Sequence, residues 1–174
     1  SQFLVRALAA LTTEGGGFGG LTKAPLSDID KAWELLVAGL DHTLAMLESN
    51  AGISASKLLA SNTALIPVVT HLGLSKGTKL TSDDANGLIY WLLAVGIGLR
   101  YSAGKETRLS EDLAAIRGDE PVRALLARSG LLRQAVRVSP EDLEGRTVTS
   151  PYFALSYLAA RAEGATDWFH GVAL

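Results

Sequence analysis

The fold turns on one stretch: Thr81-Ser82-Asp83-Asp84-Ala85-Asn86-Gly87-Leu88-Ile89-Tyr90-Trp91-Leu92-Leu93-Ala94-Val95-Gly96-Ile97-Gly98-Leu99-Arg100-Tyr101-Ser102. Thr81 or Ser82 is a suitable N-cap. Asp83 and Asp84 sit where the helix dipole is positive, and Arg100 where it is negative. From Leu88 to Val95 the pattern is apolar on every face, which suits a helix packed on all sides. The apolar run ends at Leu99 and covers twelve residues. As a helix it would be about 18 Å long, short of a bilayer core of about 30 Å. The stretch therefore predicts the buried central helix of an all-α, multi-helix bundle, around residues 83–102.

The flanking segments fit that bundle. Residues 2–13 predict a first helix with Phe3, Leu4, Leu8 and Leu11 on one side. The glycine cluster 15–20 should end it. Asp28 to Ser49 is the clearest amphipathic helix: Ile29, Trp33, Leu36, Leu40, Leu44 and Leu47 recur at steps of three and four, and Asp30, Glu34, Asp41 and Glu48 avoid that stripe. Ser27 is the expected N-cap, and Asn50-Ala51-Gly52 the stop. Asn62 is expected to cap a helix over 63–74, with Pro67 forcing a kink or a late start. Further helices are expected over 109–117, from Pro121 to Ser129-Gly130, in one turn after Ser139-Pro140, and from Ser150-Pro151 to Glu163. Residues 131–138 fit strand or helix equally, and 166–171 a last short turn.

Composition excludes several classes. The chain has 174 residues, 48% hydrophobic and 20% charged, enough for one domain with a real core. It has no cysteine, which removes disulfides, thiolate metal sites and a thiol nucleophile. The net charge of -2 argues against nucleic-acid binding through bulk charge. Charge is uneven, however. Between Arg100 and Arg137 there are eight basic residues against five acidic ones. The candidate contacts to DNA or to a neighbouring domain are Arg100, Tyr101, Lys105, Arg108, Arg117 and Arg123; a solvated helix surface with intrahelical ion pairs is the alternative. His42, His71 and His170 have no metal-ligand spacing. The glycine cluster lacks the Lys-Ser/Thr of a phosphate loop and follows a helix instead of preceding one, so it reads as a mobile connector. The paired carboxylates 83/84, 111/112, 119/120 and 141/142 read as helix-start residues. No catalytic centre, metal or cofactor is expected.

Further blocks occur in a fixed order: Ser61-Asn62-Thr63-Ala64-Leu65-Ile66-Pro67, then Gly98-Leu99-Arg100-Tyr101-Ser102 with Glu106-Thr107-Arg108-Leu109 and Asp112-Leu113, then Ser150-Pro151-Tyr152, and last Gly164-Ala165-Thr166-Asp167-Trp168-Phe169-His170-Gly171. In this order they resemble the helical region of the GmrSD-type family of modification-dependent restriction endonucleases, over nearly the whole chain. The resemblance implies an N-terminal ParB-like nucleotide-hydrolysing domain before this region, and in many members a His-Asn-His nuclease domain after it. Neither signature motif is present here, so the resemblance transfers no catalytic residue. It implies that residues 1–174, opening on Ser1, form a single helical domain lying between two catalytic domains. The expected function is non-catalytic: coupling nucleotide-dependent sensing to DNA cleavage in a cytoplasmic phage-defence protein. The expected partners are the flanking domains of its own parent chain, with DNA and a second copy as further candidates and no membrane. An independent helical interaction or self-association module is the alternative, and a small enzyme with scattered Ser, His and Asp residues the third reading. Within the internal block, Arg100 is expected to bind the last carbonyls of its helix, and Asp112 to pair with Arg108 one turn away.

Overall fold

The computed structural model describes residues 2–13, 18–54, 58–75, 78–167 and 169–173. The described residues form an all-α bundle: α1 (Gln2–Thr12), α2 (Phe18–Leu21), α3 (Leu26–Ala51), a 3-10 turn (Asn62–Ala64) running into α4 (Leu65–Leu74), α5 (Ser82–Ile97), α6 (Lys105–Ala115), α7 (Pro121–Arg128), α8 (Pro140–Leu143) and α9 (Pro151–Ala162). The reading of the glycine cluster 15–20 as a mobile connector lies outside the described residues for 15–17 and is corrected for 18–20, which are helical in α2.

α5 is the central helix. The Thr81 hydroxyl accepts from the Asp84 N–H at its start. Leu88, Ile89, Trp91, Leu92, Ala94 and Val95 are buried, and among the described residues Trp91 is the largest fully buried side chain. Its indole Nε1–H donates to Ser129 Oγ at 2.9 Å, so the bulky ring leaves no unpaired donor in the core. α5 packs on α3, α7 and α9.

The most extensive helix contact is between α3 and α4, which run antiparallel and meet at glycines. A methyl group on Gly73 would come within 2.5 Å of the Leu35 carbonyl oxygen, and one on Gly39 would collide with the Val69 carbonyl oxygen. The two backbones therefore touch without intervening side chains, which explains two glycines inside helices that would otherwise favour alanine.

Several sequence expectations need correction. α3 starts at Leu26 with Pro25 at the cap, not at Ser27, and has no side-chain cap. Its end at Gly52, in the left-handed conformation, is as expected. Its apolar stripe splits. Leu36 and Leu47 are buried, while Trp33 and Leu44 face solvent, because the buried line runs through Ala32, Leu36, Gly39, Thr43 and Met46. Asn62 opens a 3-10 turn instead of capping a helix, and α4 begins at Leu65, which puts Pro67 in the first turn. α5 ends at Ile97, five residues early. α6 begins at Lys105, four residues earlier than the apolar pattern suggested. Residues 131–138 form neither helix nor strand: they turn and then run irregularly, with the Val136 N–H donating to the Tyr90 hydroxyl at 3.0 Å. Near the chain end Thr166 and Ala173 form an antiparallel bridge. No described helix is long and apolar enough to cross a membrane.

Candidate functional site

The end of α5 builds the site. The Gly98 N–H donates to Ala94 O (2.9 Å) and the Arg100 N–H to Val95 O (3.1 Å), closing the helix with a tight reversal. The left-handed residue at this reversal is Leu99, with φ 48°, where glycine is usual. The reversal aims Arg100 and Tyr101 at α6, which opens after Gly104 (φ 62°).

Both side chains converge on Asp112, which is 0% exposed. Arg100 Nε donates to Oδ2 at 2.9 Å and Nη2 to Oδ1 at 2.7 Å, a two-pronged pair. The Tyr101 hydroxyl donates to Oδ2 at 2.6 Å. Two charges taken out of water are tolerated because geometry and hydrogen bonds compensate both. The hydrogen bond to Asp112 raises the Arg100 pKa further above its ordinary value. Burial, and then the Asp112 charge, push the Tyr101 phenol well above its usual range. The tyrosine therefore stays a neutral donor. With three donors on one carboxylate the cluster is a lock between the end of α5 and α6 and not an acid–base pair. This corrects two expectations: Arg100 does not bind the carbonyls of its own helix, and the partner of Asp112 is Arg100, not Arg108. Nor is Asp112 a helix-start residue, since it lies in the second half of α6.

The other candidate residues divide by where they point. The Arg117 guanidinium donates to Leu113 O (2.8 Å), to Ala10 O and to Thr13 O (3.3 Å), so it covers the carbonyls at the end of α1. Lys105 is half-buried in the first turn of α6. Arg108 is half-exposed and 3.9 Å from Glu111, which also lies 3.7 Å from Arg100. Arg123 is exposed and pairs with Glu120 at 3.2 Å.

Two clefts escape the linear pattern. One, of about 380 Å³, is lined by Val95, Leu99, Arg100, Ser102, Arg108 and Ser129 among others, and so borders the lock. The other, of about 350 Å³, brings together His42 of α3, His71 of α4, Lys79 and Asp84 of α5. The spacing of these residues gives no hint of that; the antiparallel crossing of α3 and α4 creates it. Among the described residues no three His, Asp or Glu side chains stand close enough to hold a metal ion.

Burial lowers the His71 pKa below 6.5, with the Asp84 charge opposing. A native pKa below the unfolded one means that the unfolded chain binds the extra proton first. Stability from this group is full above pH 6.5 and is lost as pH falls toward the depressed native value. The urea midpoint of the wild type should therefore drop more between pH 7.5 and pH 5 than that of His71→Gln. Parallel midpoints would refute this assignment.

Comparison of the chain with protein-family models, with curated proteins and with solved structures finds no match.

Proposed function

We propose that this chain is a non-catalytic helical module of a DNA-targeting restriction protein, acting in the cytoplasm and coupling nucleotide-dependent sensing in a neighbouring domain to DNA cleavage in another. The observation that carries the DNA contact is the division of labour among the basic residues. Arg100 is committed to Asp112 and Arg117 to α1, whereas Arg108 and Arg123 point outward. Their partners Glu111 and Glu120 form exposed ion pairs worth at most about 1 kcal/mol, weak enough for phosphate to displace. The lock makes the α5–α6 junction one stiff unit, which suits a part that transmits a change of position. The sequence resemblance supplies the restriction context.

The test is titration of the chain with a plain and a base-modified duplex at about 50 mM and about 200 mM salt. Binding should weaken steeply with salt. The double variant Arg108→Ala/Arg123→Ala should bind more weakly and lower the logarithmic salt slope by about 2. No binding, or a slope unchanged in the double variant, would remove the DNA contact. Nuclease activity of the pure chain would overturn the non-catalytic reading.

A further inference from the structure

The outward side of α3 carries a second surface, independent of the DNA reading. Leu26, Trp33, Val37 and Leu44 are 79%, 51%, 43% and 62% exposed. At 100° per residue they fall within about 40° of one another, so they form one straight row about 27 Å long. A surface helix of a monomer has no need of such a row. Beside it runs a second row of equal length: Asp30, Glu34, Asp41 and Glu48, all exposed. None of these four carboxylates forms an ion pair or side-chain hydrogen bond with another described residue. Lys31 is the only described Lys or Arg on α3 and lies 4.0 Å from Asp28.

On its other flank the apolar row opens into a pocket of about 80 Å³, lined by Leu40, Leu44, Leu47, Ile53, Leu65 and Val69 among others. Leu44 belongs to both. Of the two hydroxyl residues in the lining, Thr43 already donates to Gly39 O at 2.6 Å and Ser54 is exposed, while the rest of the lining is aliphatic, so the pocket suits an aliphatic side chain. The surface is thus an exposed apolar row on α3 with an acidic row on one side and a one-residue anchor pocket on the other.

We infer that this face docks an amphipathic helix of a partner polypeptide, with an aliphatic side chain seated in the pocket beside Leu44 and a Lys/Arg edge along the acidic row. Charge complementarity selects that occupant. The acidic rim repels phosphate, which argues against nucleic acid or an anionic membrane on this face. A second copy laid antiparallel on the same face would set one acidic row against the other. A partner helix with a basic edge satisfies both rows at once, packing helix against helix.

The test uses the whole chain and two labelled synthetic helical peptides, both with leucines spaced as in the apolar row, one with a lysine edge and one with a glutamate edge. The lysine peptide should bind by fluorescence anisotropy, and the glutamate peptide at least tenfold more weakly. Trp33→Ser and Leu44→Ser, both at exposed positions, should keep the thermal midpoint and weaken the lysine peptide at least tenfold. Absence of binding, or binding indifferent to the peptide edge or to both variants, would overturn the inference. A dimer in sedimentation that Leu44→Ser converts to monomer would assign the face to a second copy and overturn it too, as would a loss of duplex binding in the same variant.

Discussion

Asp112→Ala should destabilise the fold by about 3–5 kcal/mol, a large share of the roughly 5–15 kcal/mol that holds a domain of this kind together. The carboxylate is fully buried and accepts from Arg100 twice and from Tyr101 once. Its removal leaves the guanidinium, whose side chain is only 8% exposed, without its main counter-charge. Glu111, 3.7 Å from the same guanidinium and partly exposed, can compensate only in part. The phenol loses its acceptor at the same moment. Asp112→Asn should cost less, because the amide keeps one oxygen to accept. Urea denaturation of the three proteins checks the order: wild type most stable, then Asn, then Ala. A loss below about 1 kcal/mol for Asp112→Ala would mean that the cluster contributes little.

The second large effect is expected at the crossing of α3 and α4. Gly39→Ala should cost about 2–3 kcal/mol, although alanine is the better helix former by about 1 kcal/mol. The added methyl would meet the Val69 carbonyl oxygen, a backbone atom that cannot rotate away. Relief requires the two helices to separate along their most extensive contact, loosening Leu36, Leu47 and Val69 together. Gly73→Ala should behave alike, since its methyl would press on the Leu35 carbonyl. The urea midpoints of both variants are the readout. A stabilised Gly39→Ala would show that propensity outweighs the close approach.

Parts of this architecture are legible along the chain because they depend on near neighbours. The all-round apolar run of α5 announces a helix packed on every side, and Trp91 with its flanking leucines is indeed buried. Gly52, Ser150 and the Pro121 turn mark helix ends by local backbone chemistry. Other parts depend on contacts that periodicity does not encode. The spacing of Trp33 and Leu44 says that they share a face of α3, but not that the bundle leaves this shoulder uncovered. The partner of Asp112 is hidden because the chain reverses at Leu99, where sequence rules look for glycine. Residues in one helix turn, Arg108 and Asp112, then look like the natural pair, while the real pair is closed by the reversal. His42 and His71 meet only because two helices cross.

The Arg-Tyr block is an internal lock fastened on Asp112. A double-mutant cycle in a Tyr101→Phe background, which removes the hydroxyl that would otherwise lose its acceptor, tests it most directly. Arg100→Met and Asp112→Leu should each destabilise by about 3–5 kcal/mol, while the double variant should return to within about 1–2 kcal/mol of the background, because a packed apolar pair replaces the buried ions. Additive losses, with a coupling energy under about 0.5 kcal/mol, would contradict the lock.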